Sequence, residues 1–141
     1  MRLLALDIGS KRIGIAVSDP LGLIAQGHSV WLRKETPETD YLYIAKLCGE
    51  YEDIEGIVVG LPLNMDGSYG FKAKEIERFI KDLTKYVDCP IITWDERMTT
   101  VSAERLLLSA DVSREKRKKV IDKLAAVYIL QAYLDRVNYL K

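Results

Sequence analysis

Two compact apolar runs near the start of the chain, Leu3–Ile8 and Ile13–Ser18, are separated only by Gly-Ser-Lys-Arg. Runs this short and this apolar read as buried strands, and the gap is of hairpin length. The chain is thereby committed to a sheet whose first two strands are antiparallel and largely covered. Leu23–Trp31 reads as a third strand, after the Asp19-Pro20-Leu21-Gly22 turn. All nine glycines lie at or before Gly70, so a turn-rich part comes first and a helical part follows.

Tyr41, Ile44, Ala45 and Cys48 repeat at helical spacing, with Thr39 as the expected cap. Gly56–Leu61 is a strand stopped by Pro62. The loop Asn64-Met65-Asp66-Gly67-Ser68 leads to a second helix carrying Ile76, Phe79, Ile80, Leu83 and Val87 on one face. Pro90 opens a short strand, Ile91–Trp94. Thr100 is placed to cap a helix to about Ser109, and Ser113 one to about Asn138. The order β-β-β-α-β-α-β-α-α predicts an α/β fold: a five-stranded mixed sheet, three antiparallel strands then β-α-β crossovers, flanked by helices on both faces.

At 141 residues the expectation is one domain, 1–141, able to bury a core without staples. No run approaches the length of a membrane span, and Asp7 interrupts the first apolar run too early for a signal peptide. Cys48 and Cys89 form no C-x-x-C pattern and read as buried thiols of a cytoplasmic protein. His28 is the only histidine, so neither a zinc site nor a histidine-based triad can be assembled, and any metal must be a hard, oxygen-ligated cation such as Mg²⁺ or Mn²⁺. No Walker A or Rossmann glycine pattern is present.

Four places could carry chemistry. Asp7 ends an apolar strand, either as a metal ligand or as a turn carboxylate accepting the Gly9 and Ser10 amides. Asp95-Glu96-Arg97 follows a strand whose alternation sends the two acids to opposite sides; the plain alternative is a surface ion pair with Arg97. Asp122 shares a face with Ala126, Ile129 and Tyr133 on a helix that is apolar nearly all round, where only Gln131 is polar between Leu124 and Leu134. Its alternatives are a site, with Ala125 and Ala126 leaving room for a metal or substrate, or an ion pair with Lys118 or Lys119. Ser113–Lys123 holds Arg114, Lys116, Arg117, Lys118 and Lys119, either a solvated face or a grip on phosphates beside the buried acid.

Taken together, Leu-Asp7-Ile-Gly-Ser-Lys-Arg-Ile-Gly-Ile-Ala-Val-Ser-Asp19, Val-Val-Gly60-Leu-Pro-Leu-Asn-Met-Asp-Gly67, Trp-Asp95-Glu96-Arg97-Met-Thr-Thr100 and Lys-Lys-Val-Ile-Asp122-Lys-Leu-Ala-Ala-Val-Tyr-Ile-Leu-Gln131 span nearly the whole chain in order. In these pieces the chain resembles the YqgF/RuvX family, described as Holliday junction resolvases or pre-16S rRNA nucleases of bacteria. The resemblance implies an RNase H-like fold and a metal-dependent nuclease acting on structured RNA or branched DNA, as a monomer or homodimer. It implies that Asp7, Glu96 and Asp122 form a metal site for Mg²⁺ or Mn²⁺, with Asp95 the reserve for the middle acid. On that reading Lys11, Arg12 and Arg97 contact phosphates near the site, and Arg114 to Lys119 grip the flanking backbone. RuvC-type resolvases place an acid on the strand matching Gly56–Leu61; here that strand has none, so the site must be completed from the next strand.

Two other readings stand beside it. Actin, Hsp70 and sugar-kinase folds share the Asp-x-Gly-Ser pattern but bind ATP between two related domains; with 141 residues expected to form one domain, that reading requires the chain to pair with itself. A non-catalytic RNA- or ribosome-associated module would keep the fold and use the acids as a structural cluster. Lys plus Arg and Asp plus Glu are 21 each, but residues 1–96 carry 11 basic and 16 acidic side chains and residues 97–141 carry 10 and 5. The balance excludes indiscriminate nucleic-acid binding and fits one basic face around a small acidic site. The acid excess of Glu35 to Glu55 is expected to face solvent.

Overall fold

The computed structural model describes residues 2–98 and 114–139; the side chains of 98 and 114–122 lie outside that description. The helix expected from Thr100 and the cap expected at Ser113 fall on residues that are not described. Strands β1 (Arg2–Ile8), β2 (Arg12–Ser18) and β3 (Ala25–Leu32) are followed by helix α1 (Pro37–Glu50), strand β4 (Ile54–Leu61), helix α2 (Phe71–Leu83) and strand β5 (Ile91–Asp95). A 3₁₀ turn (Glu96–Met98) and helix α3 (Arg114–Tyr139) complete the described elements. The sheet order is β3-β2-β1-β4-β5; β1, β2 and β3 are antiparallel, whereas β4 and β5 run parallel to β1. This is the expected mixed sheet.

Alternation along the strands divides the core into two layers. Leu4, Leu6 and Ile8 of β1, with Ile13 and Ile15 of β2 and Ile57 and Val59 of β4, pack against Tyr41, Ile44 and Leu47 of α1 and Ile76, Phe79 and Leu83 of α2. Leu3 and Ala5 of β1, Ala16 of β2 and Val58 of β4 pack against Ala126, Ile129, Leu130 and Leu134 of α3. Asp7, two residues beyond Ala5, is therefore on the α3 face. Ala125 and Ala126 are buried. Ala126 lies in the layer formed with Ala5 and Ala16, so its small side chain serves close helix–sheet packing rather than an opening for a ligand.

Several boundaries differ from expectation for local reasons. β3 starts at Ala25 because Asp19 holds the preceding residues in a turn, accepting the amides of Leu21, Leu23 and Ile24 at 3.2, 2.7 and 2.8 Å. Those donors hold the Asp19 carboxyl below its ordinary pKa. α1 begins at Pro37, whose fixed φ suits a first helical position, after Thr36 rather than Thr39. α2 stops at Leu83, and Lys85 and Tyr86 donate their amides to Asp82 and Leu83 in a tight turn. His28 sits at a β-bulge, where the register between β2 and β3 passes from Ser29 to Gly27, and its Nδ1 pairs with Ser29 Oγ at 2.8 Å. Cys48 and Cys89 are brought into contact; burial, and for Cys48 also its neighbour Cys89, push both thiols up, Cys48 to about 12.

Gln131 explains itself as the polar residue of an apolar stretch. Its Oε1 accepts the Ala25 amide at 2.8 Å and its Nε2 donates to Leu23 O at 3.0 Å, tying α3 to the start of β3. Gln131→Ala leaves both backbone groups without these partners and should lower stability by roughly 1–3 kcal/mol in urea unfolding. A loss below the error of that measurement would show that water replaces the amide.

Candidate acidic site

Register sets the geometry of the acids. Leu6 of β1 pairs with Val59 of β4, so the neighbour of Asp7 on the next strand is Gly60, and Gly60 pairs with Trp94 of β5. Trp94 packs on the α3 layer. Glu96, two residues on, returns to that side, while Asp95 between them does not. The Glu96 and Asp7 side chains meet in a hydrogen bond at the ends of β5 and β1.

Two carboxyl groups in contact and withdrawn from water cannot both ionise without help. Burial pushes Glu96 up to about 8, and the Asp7 hydrogen bond and charge add to it. Asp7 is also raised by burial, with the Glu96 hydrogen bond and the charge of Lys72 opposing. Lys72, in the first turn of α2, favours the ionised form of both acids. Nothing in the sequence singled it out, because it is one lysine among many on an amphipathic helix. The turn alternative for Asp7 is not what the backbone does at Gly9, whose amide donates to Arg12 O at 2.8 Å.

Gly60 is the second residue without an obvious sequence signal. A methyl group there would run into Glu96 Oε1 and lie 2.6 Å from Ile129 Cδ1. Beside Asp7, β4 thus carries a gap rather than an acid, and Glu96 occupies it from beyond the end of β5. Gly60→Ala should displace Glu96 from Asp7 and cost about 1–3 kcal/mol of stability through overpacking. Cleavage activity should fall about tenfold or more, because misplacement of a reacting group by 1 Å costs about that much or more. Full activity in Gly60→Ala would show that the Glu96 position is not needed.

The other sequence candidates are distributed as follows. Asp95 accepts Arg97 Nη2 at 2.6 Å, Nε at 2.8 Å and the Arg97 amide at 3.0 Å, and this ion pair holds its carboxyl below the ordinary range. Arg97 Nη1 also donates to Met65 O at 3.0 Å. Its guanidinium therefore ties the turn after β5 to the β4–α2 loop, where Asp66 accepts the Ser68 amide and Gly67 adopts φ +87°. Lys11 is exposed and Arg12 half-buried, both beside the β1–β2 turn. Asp122 lies on α3 one turn before Ala126, but its side chain and those of Arg114, Lys116, Arg117, Lys118 and Lys119 lie outside the described residues. Among the described residues no three metal-ligating side chains converge.

The acidic stretch Glu35–Glu55 does not wholly face solvent. Asp40 is 0% exposed. It accepts Trp31 Nε1 at 2.8 Å and Arg33 Nε at 2.9 Å, and Arg33 Nη1 donates to Gly9 O at 2.8 Å. This buried network anchors the backbone two residues beyond Asp7.

A β3-β2-β1-β4-β5 sheet with helices on both faces and acids at the ends of β1 and β5 defines the RNase H-like class. Two solved structures share the fold. RuvC of T. thermophilus in complex with a Holliday junction substrate superposes with a TM-score of 0.56 at 13% identity, covering 97% of this chain and 96% of that one. The fowlpox virus Holliday junction resolvase gives 0.55 at 15%, covering 97% and 99%. The chain belongs to the RuvX family, whose model, described as Holliday junction resolvase, matches residues 1–136. A relative from Halalkalibacterium halodurans is 58% identical over 137 residues, 96% of this chain and 97% of its own. One from Syntrophomonas wolfei is 54% identical over 135 residues, 96% and 94%. Both bear the name "Putative pre-16S rRNA nuclease".

Proposed function

We propose that this protein is a metal-dependent endonuclease of structured RNA that processes the 5′ end of pre-16S rRNA in ribosome biogenesis. The observation that carries the reading is the contact of the Asp7 and Glu96 carboxyl groups over Gly60. The naming of the relatives supports the substrate. An all-oxygen donor pair whose joint ionisation is opposed fits a hard divalent cation, Mg²⁺ or Mn²⁺, which removes that opposition. Asp7 and Glu96 would hold it, joined by Asp122 from α3; Asp95, engaged by Arg97, stays outside the set. Such a cation supplies an activated water and stabilises the leaving oxygen of a phosphodiester.

The chain's own contribution is positioning. β1 fixes Asp7, the gap at Gly60 fixes Glu96, and the Arg33 bond to Gly9 O fixes the turn between them and Lys11. Lys11 and Arg12, with Arg114, Lys116, Arg117, Lys118 and Lys119, supply cations for flanking phosphates. No described helix is long and apolar enough to cross a membrane. The protein works in the cytoplasm as one domain, 1–141, monomeric or as a homodimer.

Resolution of Holliday junctions is the second reading, favoured by the description of the family model and by the shared RuvC fold. Labelled pre-16S leader and a labelled four-way junction, incubated side by side with Mn²⁺, separate the two. Cleavage of the leader at a defined position, lost in Asp7→Asn, is expected. Symmetric nicking of the junction with an intact leader would replace RNA processing by resolution, which requires a two-fold dimer.

A further inference from the structure

At the same end of the sheet as the acids, on the α1 and α2 side, an open cleft of about 730 Å³ runs between the β1–β2 turn, the end of β3 and α2. Ile76 and Phe79 lie beneath it, and Leu32, 53% exposed, forms an apolar wall. Lys11, Lys34 and Lys72 line it, and among the described residues none of the three forms an ion pair. Arg33 lines it too but is bound to Asp40. Lys34 Nζ stands 5.3 Å above the Trp31 ring, which holds its stem beside the cleft. Two carboxylates, Glu35 and Glu75, share the lining, so cations predominate.

We infer that this cleft binds unpaired nucleotides flanking the scissile phosphate, so that the substrate carries a single-stranded segment beside the cut. The inference rests on the nuclease reading above and names a subsite of it. A duplex buries its base faces in the stack and presents a convex, charged surface; it offers nothing apolar to a concave wall. An unpaired nucleotide offers both parts, a base or ribose face for Leu32 and a phosphate for the ammonium groups. Lys72 joins the cleft to the acids, because the same ammonium lines the cleft and acts on Asp7 and Glu96.

The test is fluorescence anisotropy on the intact protein in EDTA, with a short labelled single-stranded RNA and the same RNA in a duplex. Lys11 and Lys34 are exposed, so Lys11→Glu and Lys34→Glu leave the fold unchanged. Tighter binding of the single strand is expected, with affinity about tenfold lower in each variant and a log–log salt dependence shallower by roughly 0.7 per lost contact. Equal or tighter binding of the duplex, unchanged affinity in both variants, or displacement of the RNA by an equal concentration of ATP would each overturn the inference. Binding in EDTA is measured apart from the metal-dependent cutting of the nuclease reading, so the two readings fail separately. RNA bound through these lysines yet uncut with Mn²⁺ contradicts the nuclease and leaves the subsite. Mn²⁺-dependent cutting by variants that bind like wild type contradicts the subsite and leaves the nuclease.

Discussion

Asp7→Asn should lower Mn²⁺-dependent cleavage by about 10³-fold or more, ~4 kcal/mol of transition-state stabilisation, while the metal-free protein keeps its stability or gains some. The two halves have one cause. Asp7 and Glu96 share a hydrogen bond in a partly dry site; burial opposes the ionisation of both, and the Asp7 hydrogen bond and charge add to it at Glu96. An amide at position 7 preserves the hydrogen bond and removes the repulsion, but ligates a divalent cation poorly. Residues held for catalysis commonly cost stability in this way. Burial of the pair, with the Asp7 charge added at Glu96, sets the pH dependence. Glu96 is raised from its ordinary 4.5 to about 8, and Asp7 is raised as well, so the folded chain retains a proton that the unfolded chain has released. Stability from this source is fully present below about pH 4.5 and declines by roughly 1.4 kcal/mol per pH unit per proton as pH rises toward 8. Asp19, Asp66 and Asp95 act in the opposite sense: their lowered pKa values contribute stability that is lost as pH falls below about 4. Urea titrations of metal-free wild type should fall between pH 5 and 8, about the interval set by those values, and Asp7→Asn should flatten the fall. A large loss of stability in Asp7→Asn would make the pair a structural cluster and favour a non-catalytic RNA-associated module.

Asp40→Ala should be the most destabilising single change among the described polar side chains, by about 3–5 kcal/mol. Asp40 is wholly buried, and its two oxygens take the Trp31 indole and the Arg33 guanidinium. Truncation leaves the indole N–H and a half-buried cation without their acceptor. The loss is large against the roughly 5–15 kcal/mol by which a domain is stable. Arg33 also holds Gly9 O, so activity should fall further than the unfolded fraction explains. Asp40→Asn, which can still accept from Trp31, should lose less. Urea unfolding and cleavage assays on both variants check the two effects. A loss under about 1 kcal/mol in Asp40→Ala would show that Arg33 and Trp31 find water instead.

The strands were legible because their information is local. Leu3–Ile8, Ile13–Ser18 and Gly56–Leu61 are apolar runs bounded by turn residues, and the sheet order follows from how few ways three meandering strands and two crossovers can pack. Asp7 and Glu96 were legible as candidates, since an acid at the end of a buried strand needs a reason. Their partner residues were not. Gly60 reads as any strand glycine until the register places it opposite Trp94 and under Glu96. Lys72 reads as a solvated helix lysine until α2 places it by the acids. Asp40 sits among exposed acids in the first turn of α1, and only the fold shows that Trp31 and Arg33 reach it. Arg97 was expected at phosphates, yet its guanidinium spans Asp95 and the Met65 carbonyl, a contact across 32 residues of sequence. Such pairings are set by tertiary register, which periodicity and spacing do not encode.

The proposed function stands or falls on whether Asp7 and Glu96 together hold a divalent cation. Calorimetric titration of the intact protein with Mn²⁺ at pH 7, in two buffers of different ionisation enthalpy, measures both the binding and the protons it displaces. Saturable binding that releases close to one proton is expected in wild type, because burial and Asp7 push Glu96 up to about 8 without metal. Binding should weaken by at least about 10-fold in Asp7→Asn and in Glu96→Gln, and stay nearly unchanged in Asp95→Asn. Equal affinity in Asp7→Asn, or binding without proton release that is lost only in Asp95→Asn, would contradict the proposed function.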